Sequence, residues 1–226
     1  QQRPRVSARV GSNGPRGRCK VERVLDEAST GEYGLFGSIF DPVHYGHLYV
    51  AEAVRDELGL AVVLLAPARI PPHKDPAGVA PVEDRLEMVR LAAMGNPCLS
   101  LCTLEVERPD PSFTLDTVDQ LTSTYGRPPV LILGVDAFLM IETWHRWAEL
   151  VRRVPFALVA RPRYDTQEAR RLAERIGAEV ACLIEGAGVD VSSTLIRQRI
   201  SEGKTIRYLT PDPVVEYLAR CSLYVR

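Results

Sequence analysis

The residues best suited to chemistry lie in one short stretch, Phe40-Asp-Pro-Val-His44-Tyr-Gly-His47, between an apolar run beginning at Tyr33 and a segment of helical periodicity. His44 and His47 are three residues apart, so a helical turn starting near Gly46 puts both imidazoles on one side. Gly46 removes a side chain that would block a close approach. Pro42 stiffens the loop, and Gly37 lets the backbone turn sharply beside a ligand. A helix start adds N–H groups and the positive end of a dipole, so the place suits a phosphate. Two other readings stand beside this one. An H-x-x-H pair can bind a metal, although no third ligand stands at a usual spacing, and either histidine can be a core residue satisfied by a backbone carbonyl.

A second anion-binding pattern is Val191-Ser-Ser-Thr-Leu-Ile-Arg197. Ser193 and Thr194 at a helix start leave N–H groups facing phosphate oxygens, and Arg197, one turn in, can fork two of them. Pro71-Pro72 forms a stiff extended rod that presents His73 and Lys74 at a fixed spot, though a lone lysine is usually only solvated. Ser112-Phe113-Thr114 precedes a helical segment, where Thr114 can simply be an N-cap. Gly134-Val-Asp136 ends an apolar run, and Trp144-His145-Arg146-Trp147 follows; burial for packing is the plain reading of both indoles, Trp147 above all.

These loops need elements to hold them. Strand-like runs at 33–36, 60–66, 99–104, 130–133, 156–160 and 180–184 alternate with helical patterns at 48–58, 82–93, 114–125, 167–176, 193–201 and 214–219. Residues 67–81 read as a loop. Such alternation predicts an α/β fold with a Rossmann-like open, mostly parallel sheet and helices on both faces, with ligands bound beyond the carboxyl ends of the strands. The chain has 226 residues, 46% of them apolar, enough for one continuous core. Residues 31–226 read as a single domain. Residues 1–30 read as a disordered basic tail, with six basic residues and no acid before Val21. The formal net charge of -1 does not point to nucleic acid or an anionic membrane, and the apolar runs are too short to span a bilayer. Five scattered cysteines without a C-x-x-C pair predict reduced thiols in a cytoplasmic protein, with Cys98 and Cys102 as small residues in or beside a buried strand rather than half a metal site.

With these residues in view, the chain resembles the H-x-G-H nucleotidyltransferase superfamily, and in detail its bacterial nicotinate-nucleotide adenylyltransferases, over about residues 33–226. The resemblance implies adenylyl transfer from ATP to nicotinate mononucleotide, giving nicotinate adenine dinucleotide and pyrophosphate by direct in-line attack with no covalent enzyme intermediate. His44, His47 and Arg197 would be catalytic. Gly37, Ser38, Ile39, Gly134, Asp136, Ser193 and Thr194 would join them around ATP. Lys74, Thr114, Trp144, His145 and Arg161 would hold the nicotinate nucleotide, with Trp144 stacked on its ring. Mg²⁺ would accompany ATP, held by substrate oxygens and water, with no protein metal ligands. The chain departs from the family pattern in Ser38-Ile39, where Gly followed by Thr or Ser is usual, and in Phe113, where Tyr is common. A Cβ at Ser38 would cost room if that backbone turned left-handed. The rival readings are the same chemistry on nicotinamide mononucleotide, phosphopantetheine or an alcohol phosphate, and a nucleotide-binding module without catalysis.

Overall fold

The computed structural model describes residues 31–69, 78–108, 112–160, 165–186 and 190–225. The basic tail, His73, Lys74 and Arg161 lie outside these residues. Six strands form one sheet: β1 Tyr33–Ser38, β2 Val62–Pro67, β3 Leu99–Leu101, β4 Val130–Gly134, β5 Phe156–Val159 and β6 Val180–Ile184. Their order is β3-β2-β1-β4-β5-β6, and every neighbouring pair is parallel. The helices are α1 Tyr45–Leu58, α2 Val82–Ala93, α3 Leu104–Glu107, α4 Thr114–Tyr125, α5 Val135–Leu139, α6 Trp147–Arg153, α7 Thr166–Ile176, α8 Ser193–Ser201 and α9 Asp212–Arg220.

The strands read as nearly unbroken apolar runs because both faces are covered. Alternate residues point to opposite faces: Leu35, Leu64, Leu131 and Leu158 pack in one core cluster, with Leu115 and Val118 of α4, Phe138 of α5, Leu150 of α6 and Leu172 of α7. Phe36, Leu65, Ile132 and Ala157 pack in the other, with Val54 of α1, Met88 of α2, Ile196 of α8 and Val214 and Leu218 of α9. This is a doubly wound sheet. Its order reverses between β1 and β4, which opens a crevice at their carboxyl ends. Ser38 pairs with Pro67, and Gly134 with Val159, so the loops leaving β1, β2, β4 and β5 leave the sheet side by side.

Several local expectations change. The strand-like run 99–104 splits into a three-residue β3 and the short α3, because Cys102 turns its backbone N–H to Leu65 O and the chain then closes helical bonds onto Thr103 O. Helices α5 and α6 were hidden in sequences too short for a period to show. Cys98 and Cys102 do flank β3, Cys102 buried and Cys98 half-buried, and the described cysteines Cys98, Cys102, Cys182 and Cys221 form no disulfide with one another. Among the described residues no helix is long and apolar enough to cross a membrane.

One charged side chain ties the loops at the crevice. Arg85 of α2 is only 1% exposed. Its guanidinium donates to Ile39 O (2.8 Å), Ala68 O (2.8 Å) and Ala80 O (3.3 Å), binding the loops after β1 and β2 to the approach to α2. Burial pulls its pKa down while the nearby Asp41 carboxylate pushes it back up. Replacing Arg85 with Met leaves these carbonyls without their donor. Arg85→Met is expected to lower stability by about 3 kcal/mol, read from urea denaturation midpoints.

Candidate active site

The loop between β1 and α1 is held in an unusual shape. Gly37 is not its turn: it lies within β1, and a Cβ there would meet nothing within 4 Å, so this end of the strand faces open space. The sharp turn falls instead at Phe40, with φ of 51°, followed by a cis Asp41–Pro42 bond. A left-handed bulky residue is costly and persists where its surroundings fix it. Here the Phe40 ring is buried and set edge-on to His47 at 4.8 Å between centroids. Ser38 continues β1 with an ordinary φ, so its Cβ brings no backbone strain.

Helix α1 begins at Tyr45, with His44 as its N-cap in an extended conformation; the His47 backbone N–H points at its Nδ1, 3.4 Å away. The two imidazoles stack at 3.7 Å and 24°, so the histidines face one another at the first turn of the helix. They are 3% and 9% exposed. Ser38 Oγ lies 3.4 Å from His47 Nε2, so the side chain that replaces the usual glycine faces the histidine pair. Gly46 is required sterically: a Cβ there would stand 3.0 Å from the His44 ring and 3.3 Å from Val191 O. Its bareness lets the start of α1 approach the chain leading into α8.

That chain carries the second anion-binding pattern. Ser192, rather than Ser193, is the N-cap of α8, accepting from Leu195 N–H. Ser193 Oγ donates to Pro42 O at 2.9 Å, and Arg197 Nη1 donates to Asp41 O at 2.6 Å, which pins α8 to the histidine loop. Arg197 Nη2 lies 3.3 Å from the exposed Thr194 hydroxyl. The Arg197 fork is thus partly engaged by the protein rather than wholly open to a ligand.

A second cluster forms beyond β3 and β4. Phe113 is the N-cap of α4, without a side-chain cap bond, and Thr114 is its first helical residue, not the cap. The Phe113 ring stacks on His145 at 4.0 Å and 21°, which brings Thr114 beside the Trp144–His145 turn. Trp144 and Trp147 are both half-buried against the same core, so burial does not single out Trp147. Gly134 makes room for Asp136, whose carboxylate oxygen a Cβ on Gly134 would overlap. Arg108 donates to Ser112 Oγ (2.9 Å), Thr117 Oγ1 (3.1 Å) and Gln120 Oε1 (3.0 Å), bracing the start of α4. Beside it, burial pushes the Glu105 carboxyl up to about 7 against the pull of Arg108 and Thr117.

Asp41, Arg85 and Tyr224, to which no motif assigns a role, support this site. Asp41 is 4% exposed; its Oδ1 accepts from Tyr224 Oη (2.5 Å) and Ala80 N–H (2.9 Å), and its Oδ2 is 3.4 Å from Arg197 Nη1. A signal for Arg85 existed, since it falls on the apolar stripe of α2 with Met88 and Val89. A groove of about 480 Å³, lined by Leu139, Glu142, Arg171 and Arg175 among others, shares no residue with either cluster.

Stacked histidines at a helix start, beside an arginine and at the switch point of an all-parallel sheet, define a nucleotidyltransferase. Residues 35–199 match the cytidylyltransferase-like family. The chain belongs, within that family, to the nicotinate-nucleotide adenylyltransferases. A protein of Symbiobacterium thermophilum named "Probable nicotinate-nucleotide adenylyltransferase" is 41% identical over 85% of this chain and 94% of its own. One of the same name from Geobacillus thermodenitrificans is 40% identical over 86% of each. In fold, the chain is similar to the Plasmodium falciparum nicotinic acid mononucleotide adenylyltransferase solved in complexes with APC and with NaAD, at a TM-score of 0.68 and 16% identity over 86% of this chain and 97% of that one.

Two consequences can be measured. Gly46→Ala crowds the His44 ring, which must shift by a few tenths of an ångström, while leaving the core intact, so kcat/KM should fall about tenfold with a small change in thermal midpoint. Glu105 binds its proton more tightly folded, at about 7, than unfolded, at 4.5. Stability therefore falls as pH rises through that window and stays lower above it. Glu105→Gln should flatten the dependence and gain on the order of 2 kcal/mol at pH 8 but little at pH 4, in urea titrations at both pH values.

Proposed function

We propose that this enzyme transfers the adenylyl group of ATP to nicotinate mononucleotide, with the His44–His47 pair as donors to the reacting phosphate. The observation that carries the reading is the ring stack of these histidines at the start of α1, with Arg197 fastened to the same loop through Asp41. The acceptor phosphate is already ionised near neutral pH, so no protein nucleophile and no strong base are needed. It attacks the α-phosphorus in line and pyrophosphate departs; catalysis is positioning and charge stabilisation.

In this reading Gly37, Ser38 and Ile39 line the polyphosphate path, and Gly37's open side leaves it room. Arg197, Ser193 and Thr194 hold the pyrophosphate end, and Gly134 and Asp136 the adenosine. Thr114, Trp144 and His145, gathered by the Phe113–His145 stack, receive the nicotinate. Lys74 and Arg161, which lie outside the described residues, are assigned to the acceptor in this reading. Residues 31–226 act as one nucleotidyltransferase unit.

Among the described residues no group of three or more His, Cys, Asp or Glu stands where it could hold a metal ion. Asp41 is engaged by Tyr224, Ala80 and Arg197, so it does not serve as a ligand. Mg²⁺ in this reading enters as MgATP, on the nucleotide's own oxygens. Thiols that form no disulfide with one another among the described residues suit a cytoplasmic setting.

Pyrophosphate release from MgATP, with nicotinate and nicotinamide mononucleotide in parallel, tests the proposal. Release is expected with the acid form, and His47→Ala should lower kcat by about a hundred- to a thousandfold. Release only with another acceptor would move the substrate, and no release with any acceptor while ATP binds would leave a binding module.

A further inference from the structure

The last turn of the chain reaches back to the histidine loop. After α9, Ser222 and Tyr224 take φ of 50° and 63°, left-handed conformations that cost a non-glycine residue about 1 kcal/mol or more each. Leu223 and Tyr224 pack against the core cluster that also holds Phe40 and Val43. The geometry delivers the Tyr224 hydroxyl to Asp41 Oδ1, 183 residues earlier in sequence, at 2.5 Å. Burial and the Asp41 carboxylate raise the phenol's pKa, so it stays protonated and remains a donor.

Asp41 has few ways to be satisfied. Oδ1 takes Tyr224 and the Ala80 N–H, Oδ2 faces Arg197, and the guanidinium of Arg85 is already bound to three carbonyls. Arg197 is the more exposed neighbour, its side chain 31% exposed beside a carboxylate 4% exposed; Nη1 is held by Asp41 O at 2.6 Å, and the Nη2 side is the part that can still turn. A buried carboxylate that loses a donor draws harder on the remaining cation. Arg197 would then close onto Asp41 and turn from an incoming phosphate.

We propose that Tyr224 is a positioning residue for ATP: by saturating Asp41 Oδ1, its hydroxyl keeps Asp41 Oδ2 from drawing Arg197 closer than its present 3.4 Å and leaves the Nη2 side of the guanidinium for the polyphosphate. This rests on the assignment of Arg197 to the pyrophosphate end. The C-terminal turn is then part of the nucleotide site without touching the nucleotide.

Calorimetric binding of MgATP and of nicotinate mononucleotide to the full chain tests this without requiring turnover. The proteins are wild type, Tyr224→Phe, Arg197→Ala and the double variant; phenylalanine keeps the ring packing, and the thermal midpoint reports on the fold. Tyr224→Phe is expected to weaken MgATP binding about three- to tenfold. Nicotinate mononucleotide binding should change less than twofold, and the double variant should bind MgATP no worse than Arg197→Ala alone. Unchanged MgATP binding in Tyr224→Phe, equal weakening of both ligands, or the full factor repeated on the Arg197→Ala background would each overturn the proposal while leaving Arg197 in its role. Unchanged MgATP binding in Arg197→Ala would overturn the assignment of Arg197 itself, and the proposal with it.

Discussion

The site depends on a constraint of burial: Asp41 and Arg85 lie almost wholly inside the protein, and a buried charge must be partnered or expelled. Arg85 satisfies itself on carbonyls from three separate stretches, and Asp41 on groups from α8, from the approach to α2 and from the C-terminal turn. Meeting those demands leaves the chain between β1 and α1 little freedom. The left-handed Phe40 is held in place by this surround, and the histidine stack follows from it. An apolar core of similar size would pack the sheet, but it would not specify where this loop lies.

The wider fold supplies the crevice and the direction of approach. Parallel strands put all their following loops on one edge, and the reversal of order between β1 and β4 separates the helices there. The first turn of α1 then sets two nearly buried imidazoles at this edge, its N–H groups at Tyr45, His47 and Leu48 already held by Leu209 O and His44. Such a site offers directed donors and fixed positive charge. Adenylyl transfer between phosphates asks for that combination, since the attacking oxygen carries its own charge. The replacement of small residues by Ser38 and Ile39 fits this frame, because the backbone there is ordinary strand and the Ser38 hydroxyl turns toward His47.

Two kinds of support hold the two ends of the proposed site, a phosphate end and an acceptor end. At the phosphate end it is ionic and buried, built by residues far apart in sequence. At the proposed acceptor end it is a ring stack of Phe113 on His145, backed by Arg108 and by Glu105, whose carboxyl pKa burial raises to about 7. The first arrangement fixes position tightly. The second, half-exposed, fixes position less tightly.

Periodicity and motif spacing by themselves determined the strands and helices of the doubly wound sheet, because apolar alternation and 3.6-residue stripes are local signals. They also marked His44, His47, Gly46 and Arg197, whose chemistry is legible from type and spacing. Helices α5 and α6 were too short to announce themselves, and the run at 99–104 read as strand until tertiary hydrogen bonds divided it. Only the tertiary structure decided that Phe40 rather than Gly37 makes the turn, that Ser192 caps α8, and that Asp41, Arg85 and Tyr224 govern the loop. The reason is physical: a charged side chain on an apolar stripe, or a tyrosine near a terminus, acquires meaning from the partners that folding brings to it, and those partners lie up to 183 residues away.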